Sequence, residues 1–150
     1  MSEHLTFSPL SSSSPHLNTV VRWIYDEWSK ANGDTQEEIR AKLFNNRRVP
    51  PSQVAVLKTK PVGFVWISRF QRAGDLKPTL WINGLYVSGS YRSRGIGTSL
   101  VKRAENLSSN FEDHLYAYTE IPEYYLRRGW HIHQEKDEKG SAVVCQKLGK

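Results

Sequence analysis

The stretch Leu85-Tyr86-Val87-Ser88-Gly89-Ser90-Tyr91-Arg92-Ser93-Arg94-Gly95-Ile96-Gly97-Thr98 limits what this chain can fold into more than any other part of it. Its first residues read as the end of a β-strand. From Gly95 onward the apolar residues Ile96, Leu100, Val101, Ala104 and Leu107 recur at helical spacing. Strand, polar loop and helix therefore follow one another directly. Glycines at 95 and 97 let backbone N–H groups approach a ligand that a Cβ would obstruct. The helix N-terminus adds unsatisfied donors and partial positive charge, which together favour a phosphate. Arg92 and Arg94 supply charge-assisted hydrogen bonds to the same anion. A Walker A loop needs a lysine ahead of the Ser or Thr at the helix start, and here Thr98 follows Gly97 directly. A dinucleotide fingerprint needs a third glycine where Leu100 stands. Both are excluded.

Charge points the same way. The net charge is +6, and residues 76–104 carry Lys77, Arg92, Arg94, Lys102 and Arg103 with no carboxylate. A local excess of this kind is either a solvated basic face or the docking site of one anionic ligand, nucleic acid or a phosphorylated small molecule. With 150 residues, 38% hydrophobic and 24% charged, the chain has the makings of one globular domain over 1–150 rather than a disordered one. Its longest apolar run, Val62–Ile67, is broken by Gly63 and is too short for a membrane span. Glu3 and His4 stand where a secretory signal would be basic, so a cytoplasmic protein is expected. The single cysteine, Cys145, excludes an internal disulfide framework and a Cys-rich zinc site.

The remaining elements follow from spacing and punctuation. A short strand is predicted at Leu5–Phe7, and a helix over Pro15–Trp28 with Ser14 as its N-cap. Thr35 and Glu38 form a capping box for a second helix carrying Ile39 and Leu43. After a loop at Asn45–Ser52, strands are expected at Gln53–Lys58 and Val62–Phe70, joined at Lys60-Pro61, and a third at Thr79–Val87. Beyond the helix from Gly95 come a strand at Leu115–Thr119, a short helix at Pro122–Arg128 ended by Gly129, and two strands at Trp130–His133 and Ala142–Gln146. The sum is a mixed α/β domain.

Two motifs carry a family resemblance. Arg92-x-x-Gly95-x-Gly97 between strand and helix resembles the pyrophosphate-binding loop of the Gcn5-related N-acetyltransferase (GNAT) superfamily, which cradles coenzyme A. About thirty residues on, Tyr124-Tyr125-Leu126-Arg127-Arg128-Gly129-Trp130 resembles the aromatic-Tyr-x-x-x-Gly-aromatic signature of the same superfamily. Each pattern alone is common, but both in this order with a strand between them are not. The resemblance is strong from about Thr79 to Trp130 and looser before that, and it suggests a small bacterial-type member. It implies an α+β fold with a mostly antiparallel central sheet flanked by helices.

The resemblance also implies direct acetyl transfer from acetyl-CoA to a primary amine of a small molecule, peptide or protein, without an acyl-enzyme or a metal. The cofactor-binding residues carried over are Leu85, Tyr86, Val87, Arg92, Ser93, Arg94, Gly95, Ile96, Gly97 and Thr98. Backbone amides around Leu85–Val87 would donate to the thioester oxygen as it gains charge. Tyr125 matches the family's general acid, which protonates the departing thiolate. The base is less clear. Relatives often have a carboxylate two residues before the Leu-Tyr-Val segment, where this chain has Asn83. Candidates at the acceptor end are Glu27, Asp26, Glu120 and a water held by Asn83. Relatives also place an asparagine seven residues before the tyrosine, where this chain has Tyr118, with Thr119 one residue late. Trp66, Trp81 and Tyr86 are candidate acceptor-pocket walls or core residues, Arg127 and Arg128 a helix C-cap, and His131 and His133 polar edge-strand residues.

Two other readings compete. A catalytically degenerate CoA-binding sensor fits the missing carboxylate at Asn83. A nucleic-acid-binding module fits the pI of 9.5, but the aromatics sit mostly in apolar segments and no RNP-type or zinc-finger pattern occurs. The acetyltransferase is the expectation, with acetyl-CoA and an amine as its partners, no nucleic acid or membrane, and last strands suited to pairing in a homodimer.

Overall fold

Two largely apolar runs, Gln53–Leu57 and Lys60–Phe70, build the centre of the molecule. In a computed structural model, which describes residues 4–44 and 48–149, these two runs (β2 and β3) pair antiparallel, and every residue of β2 is buried. Burial on both faces means that the strand is covered from both sides. β1 (Leu5–Pro9) lies outside β2, and β4 (Thr79–Val87) outside β3. β5 (His114–Thr119) follows parallel to β4, and β7 (Ala142–Lys147) and β6 (His131–Gln134) complete a seven-stranded sheet of order β1-β2-β3-β4-β5-β7-β6. Among the described residues only the β4–β5 pair is parallel.

Helices α1 (Leu17–Ile24) and α2 (Gln36–Phe44) cover one face, and α3 (Ile96–Ser108) and α4 (Pro122–Leu126) the other. On the first face Val20, Val21, Ile24 and Ile39 pack on Val54, Phe64 and Trp66. On the second, Leu100, Val101 and Ala104 pack on Val62, Val65, Leu80 and Leu115. Burying one large aliphatic side chain contributes about 1.5–3 kcal/mol, so these two layers supply most of what holds the sheet. The buried strand members of the first layer come from β2 and β3, with the partly buried Tyr86 of β4 packed against them.

Several boundaries differ from the sequence expectation, for local reasons. α1 begins at Leu17 with His16 as N-cap, because the Ser14 hydroxyl accepts the His16 N–H at 3.2 Å and holds Pro15 in a turn. The helix also ends early: Tyr25–Ser29 is a π turn and Lys30–Asn32 a 3-10 turn, before Gly33 stops it at φ +81. The capping box forms, with Thr35 Oγ1 accepting from Glu38 N at 3.1 Å and Glu38 Oε1 accepting from Thr35 N at 2.8 Å. The β2–β3 turn lies at Lys58-Thr59, with Lys58 at φ +57, so Lys60 and Pro61 belong to β3. The loop predicted over Asn45–Ser52 lies partly, at 45–47, outside the described residues.

Two irregularities shape the site. β4 and β5 pair only at Trp81 with Tyr116 and at Ile82 with Ala117, then diverge. Residues 83–87 of β4 are thereby left facing a V-shaped opening. The β3–β4 register also slips there, Trp66 opposite Gly84 and Ile67 opposite Ile82, leaving Asn83 as the extra residue of a bulge. Bulges of this kind re-aim a side chain beside a site.

Candidate active site

The V opens into a cleft of about 720 Å³ between β4, the loop before α3, and α4. Leu85 and Val87 line it, whereas pleating turns Tyr86 the other way, its ring 5.0 Å from Trp23 under α1. Tyr86 therefore offers only its backbone to the cleft, and it is not an acceptor-pocket wall. Ser93, at φ +65, and Gly95, at φ +81, bend the loop into α3. A left-handed serine costs roughly 1–2 kcal/mol, strain held at the point where the backbone donors gather. Gly97 answers to space rather than dihedral: a Cβ there would lie 2.8 Å from the Tyr124 hydroxyl.

Of the two loop arginines, only Arg92 lines the cleft, folded back so that its Nε donates to the Val87 carbonyl at 2.8 Å. Arg94 lies outside the lining, its guanidinium 5.3 Å from the Tyr91 ring. The other basic residues of the acid-free segment also scatter. Lys77 sits 3.8 Å from Glu112, Arg103 donates to Gln53 at 3.2 Å, and Lys102 lines a separate small pocket on α3. The clustering expected from the sequence is thus not a clustering in space. A cation outside the segment takes part instead. Arg128 donates to Thr98 Oγ1 at 2.8 Å and lies 3.6 Å from the Tyr124 ring, tying α4 to the first turn of α3. It also caps the helix by donating to the Tyr124 carbonyl, as the sequence suggested.

Tyr125 lines the cleft with only 5% of its surface exposed. Its ring rests 4.9 Å from that of buried Trp130, whose indole N–H is fixed by Glu105 at 3.0 Å. Burial, with a smaller push from Tyr124 and a small opposing pull from Arg128, moves its phenol pKa well above the usual tyrosine value. Asn83 and Glu120 line the cleft as well, Glu120 being its one carboxylate among the described residues. Glu27 is exposed and lines neither cavity; its neighbour Trp28 reaches the cleft instead, with its ring over Gly84.

On the opposite face, where α1 and α2 stop, lies a second cavity of about 860 Å³. Trp66 and Trp81 line it, as the sequence allowed, together with Phe70 and the β6–β7 turn residues Glu135 and Asp137. Among the described residues the Trp66 indole N–H has no hydrogen-bond partner. Ile82, Asn83, Tyr118 and Ser141 line both cavities, so the two meet where β4 and β5 part. There the Tyr118 hydroxyl donates to Asp137, and this bond holds the Asp137 carboxyl below the usual carboxylate range and raises the Tyr118 phenol. The sequence marked Tyr118 only as a departure from pattern and gave Asp137 no role. Neither Asp137 nor the Tyr124–Arg128 stack carries a signal of its own in one dimension.

The arrangement joins a phosphate-suited loop, a buried phenol and a second cavity at one point. Known structures share the fold. The chain superposes on Arabidopsis thaliana NAA60 in complex with a bisubstrate analogue at TM-score 0.74 and 17% identity, covering 97% of this chain and 99% of that one. On the NatC complex bound to Gag peptide and CoA the values are 0.73 and 16%, with 97% and 99% covered. On an aminoglycoside 6'-N-acetyltransferase complexed with coenzyme A they are 0.72 and 17%, with 97% and 98% covered. No curated protein matches the chain by sequence. The family model of the acetyltransferase (GNAT) family matches residues 17–136, and with most of its length matched the chain belongs to that family.

Proposed function

We propose that this GNAT acetyltransferase transfers the acetyl group of acetyl-CoA directly to a primary amine that enters from the 860 Å³ cavity and meets the thioester at the β4–β5 divergence. The observation that carries this reading is the meeting of the two cavities at Asn83, Tyr118 and Ser141. The loop residues Arg92, Ser93, Gly95, Ile96, Gly97 and Thr98, with Arg128 on the other side, would hold the pyrophosphate. Backbone groups of Leu85, Tyr86 and Val87, which β5 leaves unpaired, would bind the pantetheine arm and the carbonyl oxygen.

In this reading the neutral amine nitrogen bonds to the acetyl carbon while the carbon–sulfur bond breaks. The thiolate takes the Tyr125 proton. The proton shed by the nitrogen passes to the Tyr118 oxygen as Tyr118 gives its own to Asp137, and Glu120 is the alternative acceptor on the cofactor side. Solvent restores Tyr125. The carboxylate missing at Asn83 is thereby replaced from the β6–β7 turn, which weakens the case for a catalytically degenerate sensor. The setting we infer is cytoplasmic, without nucleic acid or membrane, and with β6 as a free sheet edge suited to a homodimer. No helix among the described residues is long and apolar enough to cross a membrane.

The test is thermal unfolding with acetyl-CoA, CoA and ATP in parallel. A ligand present at 100 times its dissociation constant adds about 2.7 kcal/mol. Both coenzyme A species should raise the melting temperature and ATP should not. No rise with saturating acetyl-CoA would overturn the proposal.

A further inference from the structure

The cavity on the acceptor side has a composition of its own. Phe70 and Trp81 meet edge to face at 6.2 Å, and Trp81 stacks on Tyr116 at 5.2 Å. Phe70 is 56% exposed and Tyr118 50% exposed, although both line a concave surface. Large rings left uncovered in a cavity are surface for a ligand's apolar body. Arg72 already lies 5.1 Å over the Trp81 ring, so the shelf accepts positive charge on its face.

The charges of the cavity are unequal in a way that net charge hides. Three cations line it, and each has a carboxylate outside the lining: Lys42 with Asp34 at 3.2 Å, Arg69 with Glu112 at 2.9 Å, and Arg72 with Asp75 at 3.2 Å. Two carboxylates line it, Glu135 and Asp137, and among the described residues neither has a cation within ion-pair distance. Asp137 takes the Tyr118 hydroxyl and the backbone N–H groups of Lys139 and Ser141, at 2.9 and 3.2 Å, and feels the Lys139 charge only at longer range. The uncompensated sign is therefore negative, on a protein whose net charge is +6. A carboxylate brought beside these two groups meets like charge, whereas an ammonium is drawn in.

We infer that the acceptor is a primary amine joined by a short alkyl link to a flat aromatic group, with no carboxylate beside the nitrogen. The inference rests on the acetyl-transfer reading above and deepens it. The amine would sit at Asn83, Tyr118 and Ser141, the point where the cavity opens to the cofactor cleft. The ring would lie toward Phe70 and Trp81. Acidic acceptors, which the overall charge would favour, are turned away by Glu135 and Asp137. Aliphatic polyamines satisfy the carboxylates but leave the exposed Phe70 ring uncovered.

The experiment measures thiol release from acetyl-CoA with the full chain and a matched set of amines: phenethylamine, tryptamine, phenylalanine, tryptophan, putrescine, glutamate, and the dipeptide amides Phe-Ala and Ala-Ala. Phenethylamine and tryptamine, or Phe-Ala amide, should exceed their carboxylated counterparts and putrescine in kcat/KM by about tenfold or more. The ratio of the free amines to Phe-Ala amide distinguishes a small-molecule source from a peptide end, and both carry the chemistry proposed. Phe70→Ala, at an exposed position, should raise KM for phenethylamine about five- to tenfold and leave KM for acetyl-CoA unchanged. Glu135→Gln should narrow the preference for phenethylamine over phenylalanine. Higher kcat/KM with phenylalanine, glutamate, putrescine or Ala-Ala amide overturns the inference while the acetyltransferase stands. So does a protein that acetylates none of the aromatic amines yet is stabilised by acetyl-CoA. Failure of acetyl-CoA to stabilise the fold removes the underlying reading instead.

Discussion

Tyr125 is defined by how its ring is held. Trp130 and Tyr124 pack against it at 4.9 and 5.2 Å, and the cleft leaves it nearly no water, so the neutral phenol is favoured. A proton donor held this way stays loaded well beyond neutral pH. The rate should rise with pH as the amine loses its proton and show no alkaline fall below about pH 9.5, since free tyrosine itself ionises only near pH 10. A kcat that begins to fall between pH 7 and 8.5 would assign the acid to another group. Folding follows the same sign. Above about pH 10 the unfolded chain releases the tyrosine proton and the folded chain keeps it, so the stabilisation present below that pH is lost as pH rises further. Tyr125→Phe should lower kcat about a hundredfold or more with little change in CoA affinity, measured by turnover beside a CoA titration. Equal loss of both would mean that the ring is structural.

At the scale of elements, the contact that matters most is α4 on the first turn of α3. Arg128 bonds Thr98 and stacks on Tyr124, and the Tyr124 hydroxyl fills the space above Gly97. Gly97→Ala places a methyl 2.8 Å from that hydroxyl and should weaken acetyl-CoA binding about tenfold by pushing Tyr124 into the cleft. Adding Tyr124→Phe removes the clashing oxygen, so the double variant should recover most of the affinity in a calorimetric titration. No recovery would mean that the methyl obstructs the coenzyme itself. β4 was readable to the residue, since its β-branched and aromatic run is bounded by proline and by the polar loop. The capping box before α2 was equally legible. By contrast the β2–β3 turn has Lys58 in a left-handed conformation, with no glycine or asparagine to announce it. The bulge at Asn83 is a property of register with β3, and no local pattern encodes it.

For the molecule as a whole, the sequence read correctly the family and the sheet with its flanking helices. It misjudged the distribution of charge. An acid-free run of 29 residues, 76–104, resembles a basic face on paper, yet Lys77 points to Glu112, Arg92 to the cleft, Arg94 to Tyr91, Lys102 to a separate pocket and Arg103 to Gln53. Sequence proximity along a strand, a loop and a helix says little about direction, because the side chains leave on different faces. This dispersal makes a prediction about salt. A nucleic-acid binder with 6–10 phosphate contacts loses about 10³–10⁵ in affinity between 50 and 200 mM salt. Among the described residues Arg92 and Arg128 are the cations that line the cleft, so acetyl-CoA affinity should fall about tenfold or less over the same range. Mixed-sequence DNA and RNA should show weak binding at 50 mM that disappears at 200 mM without competing with acetyl-CoA. Fluorescence titrations at the two salt concentrations decide it, and a steep slope for acetyl-CoA would mean that basic residues beyond the cleft close over the ligand when it binds.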